Sequence, residues 1–201
     1  MGPQRVGRWL AHSISARRAG CDTLVRAMET GDRATGLQAR VSLGGAERAS
    51  VSTGLSVLDH LLELLAGHAG FDLRLEVAPG GPDAEANAAG RALGIAVRDL
   101  VRAEGAKGYG YAIVPADEAL ANVVLEASDR PLLVSNVDLS DAHVAGLDRD
   151  VVSGFLRELA EAAGLTLHVR LLHGEDARHV LEAIFKALGG ALAAAGAPRK
   201  E

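Results

Sequence analysis

The side chains of this chain best suited to metal or acid–base chemistry are its seven histidines, His12, His60, His68, His143, His168, His173 and His179. The run His173-Gly174-Glu175-Asp176-Ala177-Arg178-His179-Val180-Leu181-Glu182 places His179 and Glu182 three positions apart at the head of an apolar-periodic segment. On a helix that spacing puts both on one face, and an imidazole beside a carboxylate is half of a site for a divalent transition metal. Such pairs also arise by chance as solvated surface groups. His168 adds weight. In the preceding segment Leu165, Leu167 and Val169 share one side of a strand, and Thr166, His168 and Arg170 share the other. That polar side is expected to look towards the helix-borne pair. Cys21 is the lone cysteine, which excludes an internal disulfide and a multi-cysteine zinc site.

Periodicity gives the elements that must hold these groups. Residues 37–43 and 47–53 flank Gly44-Gly45-Ala46 and read as a hairpin, the glycine pair supplying the positive φ of its turn. Helical spacing of Val57, Leu58, Leu61, Leu62, Leu64 and Leu65 predicts a helix over 57–67. Period-two alternation predicts a strand over 71–77, a Pro-Gly turn follows at 79–82, and an Ala-rich helix covers 84–103. Short strands are expected at 112–114, 122–125 and 131–136. The order then recurs, with a helix over 155–163, a strand over 165–171 and a long helix over 179–195. Superposing the two series lays Gly70 on Gly164, Leu73 on Leu167 and Leu75 on Val169. The fold class is therefore α+β: a duplicated hairpin-helix-strand-helix unit, with sheets packed under helices as a two-layer α/β sandwich. The first half spans 33–110 and the second 111–201. Residues 1–32, in which Arg5, Arg8, Arg17 and Arg18 precede the first acid, Asp22, form an N-terminal extension. It reads as an appended helix or loose arm, with an Arg-rich targeting peptide as the alternative.

Composition bounds the function. The chain has 201 residues, 48% of them hydrophobic and only 3% aromatic, so Ala, Leu, Val and Gly must fill the interior. Small side chains bury little area each, and help from oligomer contacts is expected. No apolar run reaches the roughly 18 to 20 residues of a membrane span. A net charge of −5 argues against nucleic acid as a partner. The expectation is a soluble, cytoplasmic protein.

Six stretches in order resemble the imidazoleglycerol-phosphate dehydratase family. They are Thr53-Gly54 through Asp59-His60-Leu61-Leu62; His68-Ala69-Gly70-Phe71-Asp72-Leu73; Tyr109-Gly110 with Val114-Pro115-Ala116-Asp117-Glu118-Ala119-Leu120; Ser128-Asp129-Arg130-Pro131; Thr166-Leu167-His168-Val169; and Glu182-Ala183-Ile184-Phe185-Lys186-Ala187. The likeness covers roughly residues 33–200. It implies the family's duplicated α+β fold and an assembly of trimers into a closed shell of about 24 subunits. It implies a pair of manganese ions per site, lying between subunits, that bind the substrate imidazole and act as Lewis acids in the loss of water. The ligands of that centre are a His-His-x-x-Glu motif on each long helix and one further histidine in each half.

Against that pattern the chain is eroded. In the second half the motif falls on Arg178-His179-Val180-Leu181-Glu182, and a guanidinium has no lone pair to give a metal. In the first half the stretch from Asp83 to Arg91 has no histidine in any register, and its acids, Asp83 and Glu85, stand at the start of the helix. The residual metal set is His60, His168, His179 and Glu182, enough for one manganese or for none. Arg130, Lys186 and Lys200 match phosphate-holding positions, so a small phosphorylated ligand is expected. The arginine expected before Tyr109 is Gly108, with Lys107 adjacent, and the early arginine-threonine-glutamate motif is degraded around Glu29-Thr30 and Ala34. The expected function is a catalytically impaired or inactive relative of the dehydratase that keeps fold and oligomer surfaces, alone or in a mixed shell with an intact paralogue. The alternative is a working dehydratase of histidine biosynthesis with an altered metal site.

Overall fold

The computed structural model describes residues 26–31, 38–44, 49–137, 147 and 149–199. The first unit comprises β1 (Arg26–Gly31), β2 (Gln38–Gly44), β3 (Ala49–Ser52), α1 (Ser56–Ala69), β4 (Asp72–Val77) and α2 (Pro82–Val101). The second repeats the order with β5 (Tyr109–Ala116), β6 (Ala119–Ala127), β7 (Leu132–Ser135), α3 (Arg149–Ala163), β8 (Leu165–His173) and α4 (Ala177–Gly196). Each unit builds one four-stranded sheet, in the orders β1-β2-β4-β3 and β5-β6-β8-β7. The third and fourth strands of each unit are parallel and joined by a crossover helix; the other pairs are antiparallel. The duplicated α+β unit is thus the architecture of the chain.

One pairing differs from the sequence pattern. Residues 37–43 and 47–53 do not form a hairpin, because β4 lies between β2 and β3 and bonds to both. A glycine-rich connection marks where the chain turns, not which strand it will neighbour. Here the four-residue β3 is carried back through α1 and joins β4 in parallel. The hairpin of the first unit is β1–β2, with Glu29 opposite Arg40. Strand β1 lies inside the 1–32 segment set apart from the sequence as an extension, so the first unit begins at least as early as Arg26.

The units interlock through their helices. Helix α2 packs on α3 of the other unit and α4 packs on α1, while α2 covers β2 and β4, and α4 covers β5 and β6. Small residues make the crossings close. A Cβ added to Gly94 would stand 2.7 Å from the Leu159 carbonyl oxygen on α3. Gly189, at the matching place in α4, faces the Leu65 carbonyl oxygen on α1 with no room for a side chain. Two of the three phenylalanines meet here: Phe155 of α3 and Phe185 of α4 are fully buried and stack with centroids 5.5 Å apart. By length and composition α4 could cross a membrane, a feature the search for an uninterrupted apolar run misses. However, 61% of that window is buried inside the fold, which identifies it as the central core helix.

Candidate functional site

Two helix N-termini form the site. Before α1, the buried Thr53 donates its backbone N–H and its hydroxyl to Asp59 Oδ1, at 2.8 and 2.6 Å. This ties the entering chain to the first turn and sets the position of His60, the next residue. At α4, Asp176 is the N-cap, its carboxylate accepting from the backbone N–H groups of Arg178 and His179 at 2.8 and 3.3 Å. Because α4 packs on α1, His60 Nε2 comes within 3.6 Å of Glu182 Oε1, and Lys186 Nζ lies 3.5 Å from Glu182 Oε2. Beside this pair opens a cavity of about 320 Å³ lined by Ser56, Val57, His60, Leu61, Arg178, Leu181 and Glu182.

His179 faces elsewhere. Its Nδ1 lies 2.5 Å from Glu118 Oε2, and its Nε2 lies 3.4 Å from Asp117 Oδ2. Asp117 and Glu118 are the two residues between β5 and β6, and Asp117 takes a positive φ of 47° to make that tight turn. Glu118 also accepts from the backbone N–H groups of Asp176, at 3.0 Å, and Glu175, at 3.4 Å. The Asp176 amide, then the His179 ring, hold its carboxyl down at about 2. In return the hydrogen bond to Glu118, with the nearby charges of Glu118, Asp117 and Asp176, raises the imidazole above its ordinary value. There is no space for an ion inside the contact, since two donors on one ion at ~2.1 Å each must stand roughly 3 Å apart or more.

His168 does not look towards the helix-borne pair. Leu165, Leu167 and Val169 are fully buried on the inner face of β8, so His168 points to the outer face, across from Val124 on β6 and Val134 on β7. The alternation is as the sequence predicts, but the apolar side is the one the helices cover. The outer face of this sheet carries most of the exposed large apolar side chains, among them Tyr109, Tyr111, Ile113, Val124 and Leu132.

The long helix of the first unit carries no imidazole near its N-terminus. Both α2 and α4 have 20 residues, and laid end to end they set Asp83, Ala84 and Asn87 where α4 has Arg178, His179 and Glu182. Glu85 is buried, accepts from the Gly80 N–H at 2.8 Å and packs beneath Gly54. It braces a turn. Among the described residues no group of three or more His, Cys, Asp or Glu side chains is arranged to hold a metal ion.

The anion-binding candidates are likewise divided. Lys186 is on α4 beside Glu182. Arg130 lies past the end of β6, where Thr166 donates to its carbonyl oxygen at the start of β8. The α4 N-terminus follows the other end of β8, nine residues on, roughly 25 Å away at the rise of a strand. Lys186 stands nine residues into α4, so the two cations belong to different elements, Arg130 in the β6–β7 connection and Lys186 on the helix. Lys200 lies outside the described residues. Sequence reasoning missed Asp117 and Glu118 as partners of His179; the available signal was two adjacent acids in a tight hairpin turn.

A model of the family described as imidazoleglycerol-phosphate dehydratase matches residues 53–192. An imidazoleglycerol-phosphate dehydratase of Syntrophobacter fumaroxidans is 39% identical over 163 residues, which span 79% of this chain and 82% of that protein. One from Clostridium botulinum is 36% identical, spanning 79% and 83%. Among solved structures, the enzyme from Pyrococcus furiosus superposes with a TM-score of 0.77 at 29% identity, covering 86% of this chain and 95% of that one. The enzyme from Staphylococcus aureus gives 0.75 at 29% identity, covering 88% and 100%.

Proposed function

This chain belongs to the imidazoleglycerol-phosphate dehydratase family, and from that membership we propose that it keeps the family's fold while having lost its dimetal dehydration chemistry. One observation carries the reading: of the four histidines that two His-His-x-x-Glu motifs would supply, a single one remains, His179, and both its nitrogens are engaged by Glu118 and Asp117. The donors present do not fit a pair of manganese ions. Arg178 stands at one motif position with a permanent positive charge, Asp83 and Ala84 replace the imidazoles of the other helix, and His168 is on the far side of its sheet. With an incomplete ligand shell neither the ion nor the charge developing in the transition state is held.

The role left to it is then structural or ligand-binding, in the cytoplasm, as a homo-oligomer built on trimers or a subunit of a mixed shell beside an intact paralogue. A second reading, a working dehydratase with one manganese, is favoured by the approach of His60 to Glu182 at the mouth of a cavity. Metal content and turnover measured on one sample decide between them. The first reading expects less than about one manganese per chain, no release of water from imidazole glycerol phosphate, and no growth rescue of a histidine auxotroph lacking the dehydratase. Two bound metals with turnover, or rescue of growth, would sink it.

A further inference from the structure

The cavity between α1 and α4 has a charge balance that suits a particular ligand. Its carboxylate, Glu182, is offset by Lys186 at 3.5 Å and touched by His60 at 3.6 Å. Arg178 lines the same cavity, and its guanidinium makes no ion pair among the described residues; the hydrogen bond to Asp176 comes from its backbone N–H. Among the described residues, one positive charge without an ion-pair partner thus belongs to the lining of about 320 Å³ of space. The remaining walls are aliphatic, Val57, Leu61 and Leu181, with the Ser56 hydroxyl at the edge. A planar guanidinium pairs best with a planar oxyanion through two parallel hydrogen bonds, and aliphatic walls take a short apolar body.

We propose that this cavity binds a small aliphatic monocarboxylate, its carboxylate on Arg178 and its hydrocarbon against Val57, Leu61 and Leu181. A single negative charge is favoured over the dianion of a phosphate monoester because Glu182 remains nearby and only one cationic charge is in surplus. The proposal rests on the reading that no dimetal centre fills this space. Arg178 thereby changes the chemistry of the position, from holding a cation to holding an anion.

The test uses the full chain, treated with a chelator, and isovalerate as the probe, followed by ligand-observed saturation-transfer NMR and calorimetry. Isovalerate should bind, and isovaleramide, uncharged and of the same shape, should bind at least about tenfold more weakly, as should isovalerate to Arg178→Gln. Arg178→Lys, which keeps the charge but loses the fork, should fall between. Because Arg178 is exposed and holds the helix cap only through its backbone, Arg178→Gln should melt with the parent protein. Equal binding of the amide, indifference to Arg178→Gln, or tighter Arg178-dependent binding of inorganic phosphate would each overturn the proposal. Failure here with no metal bound leaves the functional reading intact. Manganese that binds stoichiometrically and displaces isovalerate defeats both.

Discussion

Replacing Arg178 by Gln should raise manganese affinity, the reverse of what loss of a useful residue would do. Arg178 and Glu182 are one helical turn apart on α4 and line the same cavity, which places their side chains about 5–6 Å apart at Cβ. With the same spacing of about 5 Å taken between an ion held by Glu182 and His60 and the guanidinium, the magnitude follows. The repulsion between a divalent and a unit charge at that separation is about 7 kcal/mol at an effective dielectric of 20 and about 2 kcal/mol in water. Arg178 is exposed, so the lower figure is the appropriate one. Two kilocalories correspond to about 30-fold in affinity. Titration of free manganese, followed by the electron paramagnetic resonance of the unbound ion at neutral pH, should show weak binding to the parent protein. Arg178→Gln should bind tighter by that order. An unchanged constant would show that the guanidinium does not govern this site. Micromolar binding of two ions per chain to the unaltered protein would refute the reasoning from donor loss altogether.

Three further outcomes follow from the same geometry. Glu118→Gln should lower thermal stability most between roughly pH 5 and 6.5. The depressed carboxylate contributes fully above its ordinary value of 4.5 and loses its effect as pH falls towards 2, whereas the raised imidazole loses its contribution as pH climbs through its elevated value above 6.5. A melting-temperature difference that does not vary with pH would disprove the Glu118–His179 latch. Phe155→Ala, which empties a fully buried site stacked on Phe185, should cost about 3–5 kcal/mol in urea unfolding, and a loss under about 1 would mean that the α3–α4 contact is not part of the core. Asp59→Ala leaves the buried Thr53 hydroxyl and N–H without their acceptor and should cost about 1–3 kcal/mol, read by the same unfolding curve; no loss would show that the α1 entry is held by something else.

What could be read from the residues alone is what depends on local pattern and on identity. The period of the apolar residues located α1, β4, α2, β8 and α4 to within a few positions, though it missed β1 and began α3 six residues late; the recurrence of that pattern exposed the duplication, and the absence of imidazole from the Asp83–Arg91 stretch needed no coordinates at all. The partners were another matter, because they are separated along the chain and chosen by which surfaces are buried. Only the tertiary structure placed β4 between β2 and β3, since a strand's sequence records its two faces but not its neighbours. Only it turned His168 outward, by covering the Leu165–Leu167–Val169 side with helices, and only it brought Glu118 to His179 across 61 positions of sequence. The inventory of the site came from spacing for His168, His179 and Glu182 and from the family resemblance for His60, Arg130 and Lys186, and it lacked Asp117 and Glu118. Its geometry was decided by the packing of one half of the chain against the other, where burial of small apolar faces dictates which polar groups are left to meet.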